Sequence, residues 1–392
     1  MKRFIERIAT FFLTIFIVVI FTVTTYFCLE FFDIITVPEK YSLVKIINSK
    51  MEMMVSVQEY IPISTEDSEI LEIEDEVEDS IIVELEGNSV TTIHLSNLNE
   101  EQIETFGESY FRYYDQLNEY SKKMYDALER EKEMLRTGTY TFDFGTEFDD
   151  LLKKENGSEI LNNSFQLAVN AFSFDHPEIF YIDITKMYLL TEITTRAFSK
   201  TYRVSIGKNE TDYLYEGYQS QADVELAIEQ AELIKENVKQ NAFGSDYDKV
   251  KYVHDYLIET IEYEKTVESH NNYNIYGALI NKKSVCEGYA KAFKYILDDM
   301  EIPCIVVFGT AKNSSGQIES HAWNYVKLNN EWYAIDVTWD DPIIIGFGYL
   351  SNDIKYKYFL KGQNNFFSDH TEDGTIVRAG TFIYPNLSET DY

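Results

Sequence analysis

The chain has 392 residues, enough for two or three domains, with a formal net charge of -33. So acidic a surface argues against nucleic acid as a partner, because that affinity rests on Lys and Arg neutralising phosphates. Three cysteines, Cys28, Cys286 and Cys304, with no close pair among them, exclude a disulfide scaffold and a thiol-rich zinc site, and leave one formal bridge, Cys286 to Cys304.

Phe11 to Cys28 is an uninterrupted uncharged run, extended past Glu30 by Phe31 and Phe32. About 20 helical residues cross a bilayer core. Lys2, Arg3 and Arg7 precede the run and predict a cytoplasmic N-terminus. The flank Tyr26-Phe27-Cys28-Leu29 is too bulky for signal-peptide cleavage or for lipidation at Cys28. Residues 1–36 therefore read as a cytoplasmic tip and an uncleaved transmembrane anchor, with the rest of the chain outside the cytoplasm.

Residues 37–100 read as an acidic stalk. Nine of the fourteen residues from Glu66 to Asp79 are Asp or Glu, without EF-hand spacing, so self-repulsion favours a solvated spacer over a calcium site. Residues 101–243 read as an α+β region. Apolar periodicity predicts a long helix over Asn97–Arg136 and others over Ser158–Phe172 and Gln219–Ala242. Strand-like alternation marks Thr139–Phe144, Met187–Thr194 and Thr201–Ile206. His176, in Asp-His-Pro-Glu, fits a structural turn. Gly244-Ser245 marks a boundary, followed by a helix over Asp246–Ile261 on which His254 faces the core.

The chemistry concentrates in residues 244–392. Ser284 and Glu287 have capping-box spacing, and Val285, Tyr289, Phe293 and Ile296 then repeat helically. With Ser284 as the cap, Cys286 falls in the first turn, where unpaired amides and the helix dipole favour a thiolate and could hold an oxyanion. By itself Cys286 would pass for one more small core residue. Downstream, His321–Leu328 and Glu331–Val337 flank an Asn329-Asn330 turn, a hairpin signal. A two-residue loop pairs Leu328 with Glu331. Extended along the ribbon, that register sets Trp323 against Asp336 and His321 against Thr338, so His321 and Asp336 become diagonal neighbours on one face. A thiol, a base and an orienting carboxylate are the parts that nucleophilic catalysis needs. A metal centre made from Cys286, Cys304 and His321 lacks ligand spacing. Cys304, in Ile302-Pro303-Cys304-Ile305-Val306-Val307-Phe308, reads as part of a buried strand.

Cys-x-Gly-Tyr-Ala from Cys286, His-Ala-Trp-Asn from His321, Asp-x-Thr-Trp from Asp336 and the trailing Lys-Tyr-Lys-Tyr-Phe-Leu occur in an order that resembles the bacterial transglutaminase-like superfamily, over about residues 246–365. The resemblance implies a papain-like core, with a Cys-bearing helix on an antiparallel sheet that carries His and Asp. It implies Cys286 as nucleophile, His321 as general base and acid, and Asp336 as orienter, with no cofactor and no metal. Such domains form a thioester with a protein Gln or a peptide carbonyl and pass the acyl group to an amine or to water. The expected partners are then a protein or peptide substrate outside the cytoplasm and the membrane through residues 11–32. The alternative is a catalytically silent binding or scaffolding ectodomain at the cell surface.

Overall fold

The computed structural model describes residues 59–62, 111–196, 199–264, 270–313, 315–341, 352–376 and 379–392. The expected membrane anchor, the acidic stalk apart from a strand at Glu59–Pro62, and the first part of the expected 97–136 helix lie outside these residues. No described helix is long and apolar enough to cross a membrane.

The chain divides into two compact units. The described part of the first, drawn from residues 145–149 and 190–204, is largely a pair of neighbouring strands, β1 (Tyr188–Arg196) and β2 (Ser199–Gly207). In it the Tyr202 N–H donates to Asp149 Oδ1 at 2.8 Å.

The second unit holds the remaining described residues. It opens with a 3-10 turn, Tyr113–Gln116, and α1, Glu119–Arg130. The long helix read over 97–136 is therefore short in its described part. Asn118 starts it by accepting the N–H groups of Tyr120 and Ser121, at 2.9 Å each. An Asn whose side chain can satisfy two orphan donors favours a cap over helix interior. A second 3-10 segment, Lys132–Thr137, ends at Gly138 in the left-handed region (φ 68°). Three helices follow where periodicity predicts them: α2 (Gly157–Asp175), α3 (Gln221–Asn241) and α4 (Asp246–Thr260). Ser245 and Asp248 form a complete capping box on α4.

The later part of the chain builds α5 (Cys286–Asp299) and an antiparallel sheet. Its strands are β3 (Cys304–Lys312), β4 (Ile318–Leu328), β5 (Glu331–Ile335) and β6 (His370–Glu372), in the order β6-β3-β4-β5. The β4–β5 register runs from Leu328–Glu331 to Asn324–Ile335, as the two-residue loop predicts. Asn329 and Asn330 both have positive φ (50° and 69°), which a primed hairpin turn demands and Asn tolerates. The helix α5 lies on this sheet. Ala290, Val306 and Ala322 form a buried cluster against which Cys286 and Phe308 pack.

The Tyr113–Gln116 turn and the end of α2 cover part of the same sheet. The Tyr113 hydroxyl donates to the Val306 carbonyl, and Phe174 lies 4.5 Å from Phe308, ring to ring. Gln116 and Ile383 exchange two hydrogen bonds, at 2.9 and 2.8 Å.

Candidate active site

Two features of local geometry set the thiol. Cys286 is the first residue of α5, and the cap is Val285, which offers no side-chain bond. The capping box read at Ser284 does not form. Ser284 instead pairs with Tyr263 in a short parallel bridge, and its hydroxyl donates to the Asn272 carbonyl at 2.7 Å. Glu287 turns to Lys291 at 2.6 Å. A tertiary bridge displaces the local cap, and Cys286 still opens the helix, where the first amides have no acceptor within the helix and favour an anion. Gly288 makes the approach possible. A Cβ there would lie 2.0 Å from Ser284 Oγ and 2.7 Å from the Asn272 carbonyl.

His321 stands on β4, paired with Gly309 of β3. Asp336 lies one residue past β5, where the chain leaves the ladder. The Trp323–Asp336 and His321–Thr338 pairs extrapolated from the register therefore do not form. The chain bends into a turn in which Asp336 Oδ1 accepts the Trp339 N–H at 3.1 Å. That bend brings Asp336 Oδ2 to 2.7 Å from His321 Nε2. The carboxylate is fully buried and the imidazole nearly so, at 0% and 6% exposure.

Burial opposes the charged form of the His321 ring, and Asp336 outweighs it, with a smaller contribution from the Cys286 thiol beside the ring; the imidazole is pushed up to about 10. Burial likewise opposes ionisation of Asp336, but His321 and then His370 hold it well below the ordinary carboxylate range. Asp336 takes Nε2, which leaves Nδ1 as the nitrogen that can exchange a proton with the thiol. Cys286 and Cys304 are both free, so the formal bridge between them is absent. Cys304 is buried on β3, and burial pushes its thiol up, away from reactivity.

The other motif residues hold this frame. Asn324 Nδ2 donates to the Ala290 carbonyl at 2.9 Å and the Ile305 carbonyl at 3.1 Å, tying β4 to α5 and β3. The Tyr289 hydroxyl donates to Asp341 Oδ2 at 2.7 Å. The Trp339 ring lies 5.1 Å from the His321 ring. Two further histidines have the parts their sequence suggests. His254 is fully buried and bonded to Asp340 (Nε2 to Oδ2, 3.1 Å). His176 closes α2 at a turn, with Nδ1 on Glu178 at 2.8 Å. Sequence reasoning missed one site residue, His370, whose Nε2 also reaches Asp336 Oδ2, at 3.2 Å.

Residues 234–337, which contain Cys286, His321 and Asp336, match the model of the Transglutaminase-like superfamily. The chain carries a transglutaminase-like domain. Among curated proteins it is similar to the Kyphoscoliosis peptidase of Mus musculus, 27% identical over an alignment 144 residues long that covers 33% of this chain and 21% of that protein. The Homo sapiens Kyphoscoliosis peptidase is 28% identical over the same shares. The match thus spans about a fifth of the length of these relatives. Among solved structures, a crystal structure of a TGase overlays with a TM-score of 0.29 at 16% identity, covering 45% of this chain and 50% of that one. The periplasmic domain of TgpA from Pseudomonas aeruginosa overlays with a TM-score of 0.22 at 14% identity, covering 40% of this chain and 61% of that one. In this transglutaminase-like domain, the candidate nucleophile comes from a helix terminus, the candidate base from β4, and its carboxylate partner from the turn just past β5.

Proposed function

We propose that the chain is a membrane-anchored thiol enzyme acting outside the cytoplasm, with Cys286 as nucleophile, His321 as general base and acid, and Asp336 as orienter. The observation that carries this reading is the His321 ring, bonded through Nε2 to a buried carboxylate and in contact with the Cys286 thiol. A buried imidazole held as a cation beside a thiol at a helix N-terminus is the arrangement that activates sulfur.

In the first half-reaction Cys286 Sγ, its proton on His321 Nδ1, attacks the carbonyl carbon of a protein Gln side chain or a peptide bond. First-turn amides of α5 receive the oxyanion. His321 returns the proton to the leaving nitrogen as the C–N bond breaks, and a thioester remains. In the second, an amine or water gives its proton to His321 and attacks the thioester, and the thiol leaves. An amine acceptor yields a new amide, and water yields the acid. The site's chemistry is common to transamidation, deamidation and peptide cleavage.

The test is mass spectrometry of the full-length chain with a Gln-containing protein substrate and hydroxylamine as acceptor. A hydroxamate on the substrate, and an acyl adduct on Cys286 when the acceptor is withheld, are the expected results. Deamidated or cleaved products without hydroxamate assign the acceptor to water. Absence of any Cys286 adduct and of any product would leave the silent binding ectodomain as the reading to adopt.

A further inference from the structure

The transglutaminase-like match ends at residue 337, and beyond it β6 brings a second histidine to the same carboxylate. His370 Nε2 is 3.2 Å from Asp336 Oδ2, the oxygen that His321 Nε2 reaches at 2.7 Å. On its other side His370 Nδ1 is 2.8 Å from Asp369 Oδ1. The ring is 1% exposed. Phe366 stacks on it at 4.1 Å, and Trp339, Trp323 and Tyr358 close around it at 4.8, 5.1 and 5.2 Å.

We propose that His370 is a positioning residue of the thiol site, which holds Asp336 in place and tempers its grip on His321. The proposal deepens the triad reading and rests on it for its catalytic meaning.

A contact between a ring nitrogen and an ionised carboxylate is held by a proton between them. His370 reaches a carboxylate with each of its nitrogens, Nδ1 on Asp369 and Nε2 on Asp336. Asp336 then accepts three bonds, from Trp339 N–H, His321 and His370. An anion shared between two imidazole donors stabilises a charge on either one less than it would alone. His321 therefore stays a better acid toward a leaving nitrogen than a lone buried Asp–His pair would allow, because acid catalysis works best when the group's affinity for protons is near the working pH.

The titratable groups that face His370 are Asp369 beside it, His321 from β4, Asp336 from the turn after β5, and Tyr358. The Tyr358 hydroxyl donates to Asp369 Oδ2 at 2.8 Å. Asp340 stands one step further, accepting the Tyr358 N–H at 2.8 Å.

The test is a ring titration. The full-length chain, labelled with ¹⁵N-histidine, is followed by NMR in wild type, His370→Phe and His370→Gln. The Phe ring keeps the stack on Phe366 and removes both nitrogens, whereas Gln keeps one neutral donor. The His321 midpoint should rise by about one pH unit in His370→Phe and by less in His370→Gln. If His370→Phe does not fold, His370→Gln decides alone. A His321 midpoint that stays in place or falls in the folded variants overturns the proposal. The titration needs neither substrate nor thiol chemistry, so it can succeed where acyl-enzyme trapping fails, and the reverse.

Discussion

Asp336 accepts a backbone amide on one oxygen and two imidazoles on the other while fully buried, so its charge has no solvent to fall back on. Asp336→Asn would replace that anion with a neutral amide and leave the His321 ring without a counter-charge. Turnover should fall about 10³–10⁴-fold, with the protein still folded, in a steady-state assay of whichever product forms. The same pair gives stability a pH signature. His321 has a folded value raised to about 10, so its contribution is complete below its ordinary value of 6.5 and fades as pH rises through about 10. Asp336 has a lowered value, so its contribution is complete above its ordinary 3.8 and is lost on going far into acid. The pair is therefore strongest between those two ordinary values. His321→Ala should cost about 3–5 kcal/mol in urea titrations at pH 6, as breaking a buried ion pair does, and clearly less at pH 10. An equal cost at both would contradict the pairing. The two thiols of the domain should also separate in one experiment: iodoacetamide at neutral pH should label Cys286 and spare the buried Cys304, read by peptide mass spectrometry. The sequence makes Cys286 and His321 legible because each sits in a patterned element, and Asp336 because it directly follows one, but the bend that turns its carboxylate onto His321 is not in the pattern. His370 follows Asp336 by 34 residues, and only the pairing of its short strand with β3 brings it back. No local periodicity encodes that return.

At the scale of elements, α5 and the β4–β5 hairpin were readable for different reasons. The hairpin register follows from loop length alone, because two Asn residues that accept positive φ permit a two-residue turn and nothing slips. The start of α5 follows from apolar periodicity, but its cap does not. Ser284 had a local partner available and took a tertiary one, the Asn272 carbonyl. The helix at 119–130 shows the complementary case, in which Asn118 interrupts a long apolar period by capping. Gly288 tests the approach of α5 to its bridge. Gly288→Ala puts a methyl group 2.0 Å from Ser284 Oγ and 2.7 Å from a backbone carbonyl that cannot swing away. The helix N-terminus must shift, at a cost of about 1–3 kcal/mol. Thermal melts should show the loss, and Cys286 alkylation at neutral pH should slow because the thiol moves off His321. A variant with wild-type melting and wild-type alkylation would show that the close approach is not needed.

For the whole molecule, the charge of -33 and the apolar run at residues 11–28 bear on where it works, and the packing of residues 111–175 bears on what can fold. If the run anchors the chain, protease added to intact cells should digest everything beyond about residue 37, and a mature chain beginning after residue 25 should never be recovered. The second consequence comes from the sheet. Its β3 strand carries Val306 and Phe308, which meet Tyr113 and Phe174 from the segment before residue 176. Tyr113 also lies 4.9 Å from Phe382, ring to ring, and Gln116 holds the Ile383 backbone at both its N–H and its carbonyl. A fragment of residues 244–392 contains all four site residues and a recognisable motif set, yet it strips these aromatic partners from the sheet. Exposing a contiguous apolar face of this kind removes burial worth about 1.5–3 kcal/mol per large side chain, against a net stability of only about 5–15 kcal/mol for a whole domain. The fragment should therefore be expanded and protease-sensitive, whereas a fragment of residues 111–392 should melt cooperatively and keep Cys286 reactive. Limited proteolysis and circular dichroism of the two fragments side by side decide the matter. A cooperatively folded 244–392 fragment with a reactive Cys286 would mean that the preceding segment is an accessory layer rather than part of the catalytic core.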